Sequence, residues 1–269
     1  MSIGYLGPSR DRRRASRLTC VITADDFRAL SRSSPWRCTA AHVTRRGAGS
    51  PEVEAWLERP GRLTVRDAWG ETHRWESNQD MSVTPDLVAA AFRMPERYAD
   101  DALGARALAI RWVHHTTPIT RDDGLVLVRP DDESWQAATG QPPQDVESAD
   151  PMYDNYVWVA MLDPWELARG VELSRLRETT HHGRRAWAAR CVPTEAYRPR
   201  CGCCELLWSE VSVWAEHAAG GPAPGHGDVY PEAYDVVLDH GTGFVVSLVP
   251  VGATSRHDLA FDLQVHAAE

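Results

Sequence analysis

Tyr234-Asp235-Val236-Val237-Leu238-Asp239 leads into His240-Gly241-Thr242-Gly243 and returns as Phe244-Val245-Val246-Ser247-Leu248-Val249. Tyr234, Val236 and Leu238 alternate with Asp235, Val237 and Asp239, a period of two that suits a strand with one buried and one wet face. The Gly-Thr-Gly turn reverses the chain, so the stretch predicts a β-hairpin. A third run follows in which Leu259, Phe261, Leu263 and Val265 share a face opposite Ala260, Asp262, Gln264 and His266. Three such runs in succession predict an antiparallel meander packed on one side.

Upstream, the pattern changes twice. Thr23-Ala24-Asp25-Asp26 begins a helix reaching about Ser31, with Thr23 as its cap and acidic groups facing the positive end of the helix dipole. Trp36 to Arg45, Val53 to Glu58, Arg62 to Asp67 and Thr72 to Glu76 are short strands separated by Gly47-Ala48-Gly49, Pro60-Gly61 and Trp69-Gly70. Thr84-Pro85-Asp86 opens another helix, since proline loses nothing at the first helical position. Gly124 to Arg129 is a short strand and Asp131 to Pro151 an acidic loop. Met152 to Leu162 is helical or tightly buried, and Asp163-Pro164-Trp165 restarts a helix that ends at Gly170. Val171 to Glu178 and Arg184 to Val192 are strands flanking His181-His182-Gly183, with Trp187, Ala189 and Cys191 on one face. Leu206 to Trp214 is a further strand, and Ala218 to Gly227 a flexible loop. Residues 1–18 form a basic mobile lead-in, and 19–269 a single domain.

The chain has 269 residues, of which 43% are hydrophobic, enough for a sizeable core. Its 38 acidic against 29 basic residues give a net charge of −9, which disfavours nucleic acid and anionic membranes as partners. The apolar run Leu18 to Ile22 is too short for a signal peptide, and no later segment is long enough to span a membrane. A cytoplasmic protein is expected, without membrane insertion, and its six cysteines are expected as thiols or metal ligands.

The succession of helix, strands, helical insertion and strands resembles the outer-membrane lipoprotein carrier (LolA-like) superfamily, in a divergent actinobacterial cytoplasmic branch. The residues that carry the resemblance are Glu54-Ala55-Trp56-Leu57 before Pro60-Gly61-Arg62-Leu63-Thr64-Val65, and Leu162-Asp163-Pro164-Trp165-Glu166-Leu167-Ala168. They also include Gly183-Arg184-Arg185-Ala186, and Tyr234 to Asp239 followed by Thr242-Gly243-Phe244-Val245-Val246. It covers roughly residues 23–266. The resemblance implies an α+β, mostly β fold: a single curved antiparallel sheet, or half-barrel, with helices covering its concave face and an apolar cavity between them. It carries over no ligand residue, and fold does not fix function.

Eleven tryptophans supply the material for such a cavity. Trp56, Trp75, Trp158, Trp165, Trp187 and Trp214 lie on the expected sheet or its covering helices and are the candidate ligand-binding residues. The leading expectation is a non-catalytic binding protein holding a hydrophobic small molecule or an apolar protein segment. The alternative is a thiolate metal site. Cys201, Cys203 and Cys204 combine C-x-C and C-x-x-C spacings that suit a soft ion such as zinc or Cu(I), and Cys191 could add a fourth sulfur. His181 and His182 could add nitrogen only if their hairpin folds back, and both they and His114-His115 read as surface or core histidines. No catalytic residue is assigned: H-E-x-x-H, G-x-S-x-G and phosphate-binding glycine motifs are absent from the sequence. An enzyme of another type is the third reading.

Overall fold

Thr23 caps the first helix as its sequence predicts. Its hydroxyl accepts from the Asp26 backbone N–H at 3.2 Å, while the Asp26 carboxylate accepts from the Thr23 N–H at 2.9 Å. In the computed structural model, which describes residues 21–76, 111–144, 146–147, 150–200, 205–218 and 220–269, this helix, α1, spans Ala24–Arg37. It therefore runs past Ser31 and through Pro35, taking in Trp36, where the sequence suggests a strand. Tertiary partners explain the extension: Ser34 donates to the Leu162 carbonyl, and the Trp36 indole donates to the Thr116 carbonyl at 2.9 Å. Such contacts override a weak local preference.

Strand β1 (Ala40–Gly47) follows, then β2 (Ser50–Glu58), β3 (Arg62–Arg66) and β4 (Thr72–Glu76). The helix expected from Thr84 lies outside the described residues. A middle section holds short strands β5 (Arg111–Trp112), β6 (Ile119–Thr120), β7 (Val126–Val128) and β8 (Val146–Glu147), and helices α2 (Ser134–Thr139) and α3 (Val157–Leu162). The loop expected from Asp131 to Pro151 thus contains a helical turn. A 3₁₀ helix at Trp165–Ala168 closes the section. The chain then forms β9 (Val171–His181), β10 (Arg184–Pro193), helix α4 (Glu210–Ala218), β11 (Ala233–Asp239), β12 (Val245–Val251) and β13 (Phe261–Ala268).

Nine strands form one sheet in the order β4-β3-β2-β1-β13-β12-β11-β10-β9, with every neighbouring pair antiparallel. The protein is mostly β, and the sheet is open, with β4 and β9 as its edges. Two meanders are joined where β1 meets β13, Val43 facing Val265 and Arg45 facing Leu263. Period-two burial is plain: Val53, Ala55 and Leu57 are buried on β2, as are Leu63 and Val65 on β3 and Phe261, Leu263 and Val265 on β13. Trp187, Ala189 and Cys191 share the core face of β10, as expected. Phe27 and Leu30 of α1, together with Trp158, Met161, Leu162 and Leu167, belong to the same hydrophobic core as these strands.

The turn between β11 and β12 approaches α1 closely. Gly243 has φ +79°, and a Cβ there would stand 3.0 Å from the Leu30 carbonyl oxygen, so both conformation and space call for glycine. The β9–β10 hairpin tip lies at the same end of the strands, Ala186 of β10 facing Asp239 and the His240 N–H donating to the Arg185 carbonyl at 3.0 Å. β9 and β13 are separated by three strands, roughly 19 Å on a flat sheet at strand spacing. Yet His181 and His182 at the hairpin tip lie 3.1 and 2.7 Å from the Asp262 carboxylate on β13. Among the described residues, no helix is long and apolar enough to cross a membrane.

Candidate functional site

The segment Leu206 to Trp214 is not a strand. Leu206, Leu207 and Trp208 are buried in irregular chain, and α4 starts at Glu210. Ser209 sets that start: its hydroxyl accepts from the Ser212 N–H at 3.2 Å, and the Ser212 hydroxyl accepts from the Ser209 N–H at 2.9 Å. This is a capping box with serine in place of the usual glutamate. Val211 and Val213 give the segment a strand-like alternation, but Ser209 three residues before Ser212 is the signal that would have found the helix.

Two buried acids hold the approach to this helix. Glu166, nearly solvent-free, accepts from the Tyr197 hydroxyl at 2.6 Å and from the backbone N–H of Leu206 at 3.0 Å with one oxygen; its other oxygen accepts from the Arg200 N–H at 3.0 Å. Burial, and then Glu166, push the Tyr197 phenol well above its ordinary pKa. Asp163, also fully buried, accepts from Arg129 at 2.9 Å and Arg200 at 2.7 Å. Burial would raise its pKa, but the charges of the two arginines overcome this and hold it below the ordinary carboxylate value. The Leu162-to-Ala168 motif is therefore an anchor for the chain that leads into α4.

Only Ser212 of α4 is buried. Val211, Trp214, Ala215 and Ala218, spaced three and four apart, line a groove of about 670 Å3 with Glu195, Arg198 and Glu210 at its polar border. Trp214 is 52% exposed there. Arg198 is fixed by bonds to the carbonyls of Glu195 (2.8 Å) and Tyr197 (2.9 Å).

The other side of α4 borders a smaller cavity of about 250 Å3, lined by Glu205, Trp208, Val213, Asp228 and Arg256 among others. Trp208 packs on Tyr230, ring centres 4.5 Å apart, and beneath the Arg256 guanidinium at 5.4 Å. Glu205 is buried; one oxygen accepts from Ser212 at 2.9 Å, and the other has no hydrogen-bond partner. Burial pushes the Glu205 pKa up, against the Ser212 hydrogen bond and the Arg256 charge.

The six candidate tryptophans do not surround one space. Trp75 and Trp158 come together through Tyr153, with ring centres 5.1 and 5.4 Å from it in edge-on contact, and Trp158 is core. Trp187 is buried against His240 at 4.9 Å. Trp165 lies between the guanidiniums of Arg129 and Arg200, at 5.9 and 5.6 Å. Trp56 alternates with buried Ala55 and Leu57 and so faces away from the core. It stacks on His42 at 4.9 Å, below Arg66 at 5.4 Å, and borders a cavity of about 210 Å3 beside the last residues of β13. Trp214 alone of the six lines the α4 groove. Tyr153, Trp208, Glu205 and Arg256 are the contributors that sequence reasoning missed.

Cys191 sits on the core face of β10 between Leu173 and Tyr234, fully buried, and burial pushes its thiol pKa far up. Cys201, Cys203 and Cys204 lie outside the described residues. His114 behaves as a core histidine: burial, with the charge of His115, pulls its pKa down to about 4. Comparison of the chain with protein families, curated proteins and solved structures finds no match.

Proposed function

We propose that the protein is a binding protein that docks an apolar segment of a partner polypeptide along α4, with Trp214 as the anchor. The observation that carries this reading is the Val211, Trp214, Ala215 and Ala218 stripe, which leaves a half-exposed tryptophan in an open groove. An enclosed site would suit a small hydrophobic molecule, which is usually buried over most of its surface. An open apolar centre rimmed by Glu195, Arg198 and Glu210 has instead the anatomy of a protein interface. The open antiparallel sheet and the order of its elements support the LolA-like half-barrel reading, with helices on its concave face. In this proposal the partner segment lies along α4 rather than in the cavity that the resemblance implies.

Selection of displayed peptides on the purified chain tests the proposal. Enriched peptides should carry one or two large apolar side chains, and Trp214→Ala should weaken their binding by about tenfold or more, as loss of a central aromatic anchor does. Peptides that bind wild type and Trp214→Ala within twofold of each other would remove α4 as the docking surface.

A further inference from the structure

We propose that His181, His182 and Asp262 form a binding site for a divalent transition-metal ion of the zinc type, clamping the tip of the β9–β10 hairpin to β13. The site starts with the hairpin loop. His182 and Gly183 both have positive φ, +44° and +80°, the backbone of a two-residue turn of the primed kind. A histidine in that conformation is uncommon. It sets the two imidazoles edge to face, with ring centres 4.4 Å apart and planes at 78°.

One ligand atom from each of the three residues lies within 4.8 Å of the others. His181 Nε2 is 3.1 Å from Asp262 Oδ2, and His182 Nε2 is 2.7 Å from Oδ1. Ligands about 2.0–2.2 Å from a tetrahedral zinc ion stand roughly 3.3 Å from one another, so adjustments of at most about 1.5 Å would seat the ion. Two imidazole nitrogens and a carboxylate oxygen are donors that zinc accepts. The second observation is independent of the spacing. His181 Nε2 is buried and makes no hydrogen bond, even though Asp262 is in contact, because the carboxylate is off the direction of the ring nitrogen. A buried polar nitrogen left so calls for a partner, and a cation bound by all three groups supplies one. Partial exposure of the His182 and Asp262 side chains leaves an approach from solvent and room for a water as fourth ligand.

The test must separate this site from the thiols. Untagged full-length protein carrying Cys201→Ser, Cys203→Ser and Cys204→Ser is titrated with zinc chloride by calorimetry, and its Tm is measured with and without zinc. The expected result is one equivalent bound and a raised Tm. Asp262→Asn in the same background should weaken zinc at least tenfold and abolish the Tm shift, and His181→Gln with His182→Gln should abolish both. Asp262 is a partly exposed surface residue, so its variant remains informative if the histidine pair disturbs the hairpin. Absence of zinc binding in the serine background, or equal binding in the Asp262→Asn variant, overturns the proposal and leaves the three groups as an ordinary ion-paired cluster.

Discussion

Replacing Asp163 by asparagine removes one charge from the interior while nearly preserving volume. Asp163 is fully buried, and its two oxygens receive Arg129 at 2.9 Å and Arg200 at 2.7 Å. Breaking a buried ion pair by removing one partner costs about 3–5 kcal/mol, because the surviving charge is left desolvated. Here the lower end applies. Arg129 keeps Asp131 at 3.0 Å, and Arg200 keeps the Asp163 backbone carbonyl at 2.9 Å. A loss of about 3 kcal/mol at an m-value of about 2 kcal/mol per molar urea moves the unfolding midpoint down by about 1.5 M. The pH dependence has a definite sign. The folded pKa of Asp163 is lowered, so its contribution is present above the unfolded value of about 3.9 and is lost as pH falls through the folded value. Wild type and variant should therefore converge toward acid. A midpoint shift below about 0.5 M, or a stability gap unchanged from neutral to strongly acidic pH, would refute the assignment of this carboxylate as the anchor.

Gly170→Ala should be among the most damaging single-methyl changes: φ is +62° and the new Cβ would fall 2.2 Å from the backbone of Ala196 and Tyr197. At Gly140, with φ +75° and nothing within 4 Å, alanine should cost only the left-handed penalty of about 1–2 kcal/mol, and thermal melts showing equal losses would contradict the packing of the 196–197 segment. Glu205→Gln should flatten the pH profile of stability. The folded pKa of Glu205 is raised, so wild type loses stability as pH rises from the unfolded value of about 4.3 toward the folded one; profiles that coincide from pH 4 to 7 would show that Glu205 is not desolvated.

What was legible in the sequence was set by local period, and what was not was set by distant partners. The alternation from Tyr234 to Leu238 placed β11 correctly, and the turn glycines separated β1 to β4. That same alternation misassigned α4, where Val211 and Val213 imitate a strand and only the Ser209 cap reveals the helix. Trp56 illustrates a second limit. A large aromatic side chain suggests a buried face, yet its strand phase turns it outward, and His42, from the neighbouring strand, supplies the ring that partners it. The roles of Glu166 and Asp163 depend on Tyr197, Leu206, Arg129 and Arg200, none of them within 30 positions of the acid it contacts. No local pattern reports such a contact.

The seam between β1 and β13 joins distant parts of the chain: Thr39 and Glu269, 230 positions apart, share a hydrogen bond. During translation β1 to β4 can pair among themselves, but the inner flank of β1 stays open until β13 leaves the ribosome. Until β13 is made, the nascent chain therefore carries an unpaired strand edge, the kind of edge that invites pairing with other chains. Its production in cells should accordingly depend more on chaperone supply and elongation rate than the stability of the finished sheet would suggest.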